Sequence, residues 1–265
     1  MRVTQQMLHQ NSVRHMNQNL NSFQKTNSQV SSGKMLERPS DDPNGVSKAM
    51  SLKSSLAANG QYEKNIDETN LWLDETDQTI GKMTDVMQRV RELTVNGNNG
   101  TLAPEDRETI AAEIEQLKEQ ISEFSKAKVN GQELFGAEKT FTISNGITIP
   151  ANVGAERLLG ETLAVLDEVA GNIRSGKEAS IEDIDTSMNN MLSVQSEIGA
   201  RTNRVEAFEN RVLDNTLQLK EMLSNIEDVD YAEAMIRLKS EESIYQASLA
   251  ASAKIIQPSL MDFLR

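Results

Sequence analysis

The chain has 265 residues, of which 37% are hydrophobic, 4% aromatic and 25% charged, with 5 prolines and no cysteine. So low an apolar share is thin for a thick globular core and suits helices that each bury one stripe, and the lack of cysteine excludes disulfide scaffolds, thiolate metal sites and thiol catalysis. The formal net charge of −13 opposes binding to nucleic acid or to an anionic membrane.

The first predicted element is a helix. Val13, Met16, Leu20, Phe23, Asn27 and Val30 alternate steps of three and four, the seam of a coiled coil. It is a polar seam, since residues 1–32 hold 11 Asn and Gln and Asn27 lies on it. Buried amides need partners, so a helix of this kind fits packing against a companion helix or against copies of itself. Ser31-Ser32-Gly33 breaks it, and residues 38–43 read as a loop, with Asp42 an N-cap and Pro43 the first helical residue. A second helix runs from Pro43 to about Thr94, with Ile66, Thr69, Leu73, Thr76, Ile80, Met83, Met87 and Val90 on one face. A helix of that size is roughly 75 Å long.

Asn96 to Gly100 ends it, and Pro104 starts a third helix, with Ile110, Ile114, Leu117, Ile121 and Phe124 on one face and Asn130-Gly131 as its stop. Residues 140–149 are β-branched around Asn145-Gly146, a hairpin signal. A short helix holds Leu163, Leu166, Ala170 and Ile173 and stops at Gly176; Ser180 with Asp183 resembles a capping box. A long returning helix then carries Ile184, Met191, Val194, Ile198, Val205, Phe208, Val212, Leu219, Met222, Ile226 and Val229, interrupted by Ser187, Arg201 and Asn215. Residues 228–231 form a joint to an Ala- and Ser-rich last helix.

These elements predict a mainly α fold: an elongated antiparallel helical bundle or coiled-coil rod, its N- and C-terminal helices paired, with a small β-hairpin insertion at the far tip. The segments are 1–42 (assembly helix and loop), 43–136 (rod), 137–160 (hairpin insertion), 161–230 (returning rod) and 231–265 (assembly helix). Charge follows the same division. Residues 1–36 carry Arg2, Arg14, Lys25 and Lys34 and no acid, residues 231–265 balance to zero, and the middle holds −17.

Chemistry-bearing patterns are missing. There is no HExxH, G-x-S-x-G, P-loop or GxGxxG. Gly97 and Gly100 read as a helix–helix turn, and Asp41-Asp42 as a turn and cap. His9 and His15, the two histidines, stand six apart and off a common helix face. The sequence predicts no enzyme, metal or cofactor, no membrane-spanning segment and no cleavable signal peptide.

Val30-Ser-Ser-Gly-Lys34 followed by Pro39-Ser-Asp-Asp-Pro43 resembles the N-terminal signature of the flagellin superfamily. Later blocks are similar to it in order: residues 72–77, 91–93, 198–205 and 243–248. Three features resemble the branch of that superfamily that joins hook to filament: Asn96 to Arg107 leading into Val129-Asn-Gly-Gln-Glu-Leu-Phe-Gly136, the end Pro258 to Leu264, and the start Met1-Arg-Val-Thr4. The resemblance implies a structural adaptor of the bacterial flagellum, exported by the type III route. It implies a ring between the first hook-associated protein and flagellin, and a cytoplasmic chaperone before export. The assembly interface would be Val13, Met16, Leu20, Phe23, Asn27 and Val30 with Ile244, Leu249, Ile255, Leu260, Phe263 and Leu264. The chaperone would hold Ile255, Leu260, Phe263 and Leu264. The isolated chain is expected to be a monomer whose ends order on assembly. The alternatives are a filament subunit and a cytoplasmic coiled-coil scaffold.

Overall fold

The computed structural model describes residues 2–36 and 38–256. Among them are seven helices and two antiparallel strand pairs. In chain order these are α1 (Arg2–Ser32), α2 (Pro43–Gly97), α3 (Pro104–Ser125), β1 (Lys128–Val129), β2 (Gln132–Glu133), β3 (Thr140–Ser144), β4 (Ile147–Pro150), α4 (Ala155–Leu159), α5 (Thr162–Arg174), α6 (Ile181–Glu227) and α7 (Tyr231–Ile256). The chain forms two compact units. Met1–Leu56 with Leu217–Arg265 make the terminal unit, and Ala57–Thr216 the central unit.

Local chemistry sets the helix ends. The Asp42 carboxylate accepts the Asn44 N–H at 3.0 Å with Pro43 opening α2. Ser180 Oγ accepts the Asp183 N–H at 3.3 Å at the head of α6. Asp230 accepts the N–H groups of Ala232 and Glu233 at the head of α7. Each satisfies donors that a helix start leaves open. Gly176, at φ +70°, takes the left-handed turn after α5 that a side chain would resist.

The apolar core lies in the central unit. All eight predicted seam residues of α2, from Ile66 to Val90, are buried. They meet Ala111, Ile114 and Ile121 of α3, Leu166, Val169, Ala170 and Ile173 of α5, and Ile184, Met191, Val194, Ile198, Val205 and Val212 of α6. Gly97 permits close approach there, since a Cβ on it would stand 2.9 Å from Ile173 Cδ1. Asn98 ties the end of α2 to the lead-in of α6 by accepting the Ala179 N–H and donating to its carbonyl.

Two features differ from the sequence expectation. Asn130-Gly131 does more than stop a helix: with φ +51° and +80° it turns β1 into β2, a second miniature hairpin. The β3–β4 hairpin also does not sit at a far tip. It lies along α2, where Asn65 Nδ2 donates to Thr142 O at 2.7 Å and Lys139 pairs with Glu68 at 3.1 Å. From α6, Arg201 donates to the carbonyls of Pro150 and Asn152. Two short strands cannot shield Ile143 and Ile149 alone, so they lean on helices that can.

Candidate assembly surface

In the terminal unit α1 and α7 pack antiparallel. Ser12 Oγ meets Ser252 Oγ at 2.8 Å, Asn19 Nδ2 donates to Ser248 Oγ at 2.7 Å, Phe23 and Tyr245 stack with centroids 6.3 Å apart, and the Tyr231 hydroxyl donates to Val30 O at 2.7 Å. The facing row on α7 is Ala234, Leu238, Glu241, Tyr245, Ser248 and Ser252, none of them exposed. Steps of four and three again place one stripe inward. Here one hydroxyl and one amide of α1, those of Ser12 and Asn19, supply hydrogen bonds across the pair.

Below this pair the chain is tied by a charged joint. Met35 N–H donates to Glu227 O at 2.7 Å, and Val229 N–H to Gly33 O at 3.0 Å. The Glu227 carboxylate, with its side chain 8% exposed, takes Lys34 at 2.6 Å and Lys53 at 2.7 Å. The hydrogen bonds from Lys34 and Lys53 hold Glu227 below its ordinary value of 4.5, against the opposing effect of burial. Lys34 is raised in turn by Glu227.

The predicted interface residues divide in this setting. Met16, Leu20, Phe23 and Val30 are half-buried, on the helix that α7 covers. Val13 is at the edge and exposed, and Asn27 is exposed outright. Thr26 holds the buried seam position instead, at 4% exposure. Ile244 and Leu249 face outward, on opposite flanks of α7. Ile255 belongs to the last turn of α7. Leu260, Phe263 and Leu264 lie outside the described residues. Met235 and Ile236, which the sequence did not single out, are exposed as well. Their signal was their place off the inward stripe of α7.

The electrostatic contrast between units is sharp. The terminal unit has 12 basic and 11 acidic residues, net +1, and the central unit 15 and 29, net −14. Among the described residues no group of three or more His, Asp or Glu is placed to hold a metal, and no helix is long and apolar enough to cross a membrane. His9 is exposed, and His15 Nδ1 lies 3.3 Å from Gln18 Oε1.

A first helix closed onto the last, with exposed apolar side chains on the flanks of the pair, defines a helical protein whose two chain ends fold together. The chain belongs to the bacterial flagellin family: its N-terminal helical region matches residues 3–140 and its C-terminal helical region residues 181–264. Flagellar hook-associated protein 3 of Escherichia coli K12 is 24% identical, covering 95% of this chain and 96% of that protein. Flagellin FlaB2 of Treponema pallidum is 28% identical, covering 92% and 93%. Among solved structures, a putative flagellar hook-associated protein of Vibrio parahaemolyticus has the same fold over 71% of this chain and all of that one, with TM-score 0.63 and 21% identity. Bacillus cereus FlgL matches 66% of this chain and 99% of its own, with TM-score 0.59 and 20% identity.

Proposed function

We propose that this flagellin-family chain is a structural adaptor forming the junction between the hook and the filament of the bacterial flagellum. It is a packing subunit and not an enzyme. It leaves the cytoplasm as a monomer through the type III route, held until then by a chaperone on its C-terminal segment. It then forms a ring with the first hook-associated protein on one side and flagellin on the other.

The observation that carries the junction role is the block Val129–Gly136. In the superfamily resemblance it is the junction-type feature. Here it is a built element, with Leu134 and Phe135 buried and the Phe135 carbonyl accepting the Ala155 N–H at 2.8 Å. End-to-end similarity to hook-associated protein 3 supports the same role. So does the near-neutral terminal unit beside a central unit of −14, which suits ends buried among other subunits and a middle left in water. Similarity to FlaB2 favours a second role, that of a filament subunit.

Immunogold labelling of intact flagella separates the two. A single band of label at the hook end of the filament is expected. Label along the whole filament would establish the filament role, and a deletion strain with complete filaments would overturn both.

A further inference from the structure

The terminal unit holds a cavity of about 410 Å³ whose wall includes Leu36, Val46, Ala49 and Met50, with Lys34 and Lys53 beside Glu227 at its polar side. Met50 is 67% exposed, and both lysine side chains are about half exposed. Each ammonium has three donors, so pairing with Glu227 leaves capacity for a further carboxylate. On the α2 side the charge is basic, since residues 43–62 carry Lys48 and Lys53 and no acid, while Glu227 in the wall and Asp42 and Asp228 nearby offset part of it.

Further along α2 the sign reverses. Residues 63–77 hold Glu63, Asp67, Glu68, Asp74, Glu75 and Asp77 against Lys64 alone. In the middle of that run Leu71 stands 48% exposed. Asp67, Glu68, Asp74 and Glu75 lie three and four residues from it, so it rises from a ring of carboxylates on one helix face. Glu68 is engaged by Lys139, whereas Asp67, Asp74 and Glu75 make no hydrogen bond or ion pair among the described residues. An exposed leucine alone needs no explanation. A leucine framed by free carboxylates, on a chain that also carries an apolar cavity flanked by lysines, is one half of a complementary pair.

We infer that Leu71 of one copy of this chain seats in the Leu36–Met50 cavity of a second copy, with Asp67 and Asp74 meeting Lys53 and Lys34. The contact rests on the assembly role proposed above and names a surface for it. It is heterologous, joining the central unit of one copy to the terminal unit of the next. A patch paired with a different patch propagates into rings or helical rows and not into closed two-fold dimers. One pocket is also a small interface, below the roughly 1,000 Å² that a stable complex buries, so it leaves the free chain monomeric and acts only where copies are held together.

The absence of cysteine makes the test clean. Full-length Met50→Cys and Leu71→Cys variants, each altered at an exposed position and each checked by circular dichroism, are mixed and oxidised mildly. A Met50→Cys with Ala112→Cys mixture, on an exposed face of α3, is the control. The mixed disulfide between positions 50 and 71 should form about tenfold faster than the control cross-link, and faster than either homodimer. Relative to the control cross-link, which shares the general repulsion between copies, it should be slowed several-fold by sodium chloride at ~0.5 M and by Asp74→Lys in the Leu71→Cys copy. A rate equal to the control, or one indifferent to salt and to Asp74→Lys, overturns the contact. Because purified copies are read, that failure is separate from a failure of the junction role, which the gold label reports.

Discussion

Four buried threonines of α2 show how a polar residue can occupy a core stripe. Thr69, Thr76, Thr84 and Thr94 each donate to the carbonyl four residues back, at 2.6 to 2.9 Å. The hydroxyl is satisfied inside its own helix, so burial costs little, and the helix gains a site where it bends readily. Thr76→Val keeps the shape and removes the hydroxyl. It should stabilise the central unit by about 0–1 kcal/mol in urea unfolding, since the carbonyl retains its helical partner. Ile80→Ala, at the same depth, should cost ~2–5 kcal/mol by loss of transfer energy and creation of a cavity. Glu227 behaves differently, because its partners are charged. Its folded value lies below 4.5, so it contributes stability that is complete above the unfolded value and lost as pH falls through the folded one. Glu227→Gln should therefore destabilise the terminal unit by ~1–3 kcal/mol at pH 7 and by progressively less below about pH 4.5. Denaturation followed across pH 3 to 7, with a probe on α7, measures the difference.

At the scale of elements, α1 and α7 depend on each other more than on their own composition. Their contacts are hydroxyl and amide pairs plus one aromatic stack, and few of their apolar side chains are fully covered. Helices without a wide apolar stripe gain most of their stability from the partner. Phe23→Ala should raise hydrogen exchange along both α1 and α7 while leaving the exchange of residues 66–90 unchanged. Equal loosening in the central unit would show that the two units unfold as one. The hairpins follow the opposite logic. Their turns are local, set by Asn130-Gly131 and Asn145-Gly146, but their positions are not. Lys139 lies 4.4 Å over the Trp72 ring and 4.8 Å over Phe141 while pairing with Glu68. Such a cation on two rings fixes a hairpin to a helix at a place that neither segment encodes by itself.

For the whole molecule, the division of labour is visible in charge. The −14 of the central unit repels itself and keeps copies apart, and salt relieves that repulsion. Removal of residues 258–265 should leave the melting of the central unit unchanged, because its core cluster runs from Ile66 to Val212. It should nevertheless abolish filament growth from the hook and weaken chaperone binding, if the apolar end Leu260, Phe263 and Leu264 is the assembly and chaperone segment we propose. Full filaments on the truncated protein would remove that role, and a lost central melting transition would make those residues ordinary core.

Much of this was legible in the residues themselves. Every position that heptad spacing picks on α2, from Ile66 to Val90, is buried, and Asp42 and Ser180 mark helix starts, because capping and periodicity depend only on near neighbours. The superfamily was legible for the same reason, since its blocks are short and ordered. The seams of α1 and of late α6 were legible only in part. On α1 the buried residue is Thr26 in place of Asn27, and on α6 it is Thr216 in place of Asn215, with Leu223 turned inward and Met222 exposed. A straight helix drifts by about 20° per heptad against a strict seven-residue repeat. Over a long element, then, two adjacent residues compete for one inward position, and the partner helix decides between them. Two-residue strands such as β1 and β2 carry no periodic signal at all. Their existence, the docking of β3–β4 along α2 and the gathering of Lys34, Lys53 and Glu227 into one joint come from contacts between residues far apart in the chain, and only the folded structure determines them.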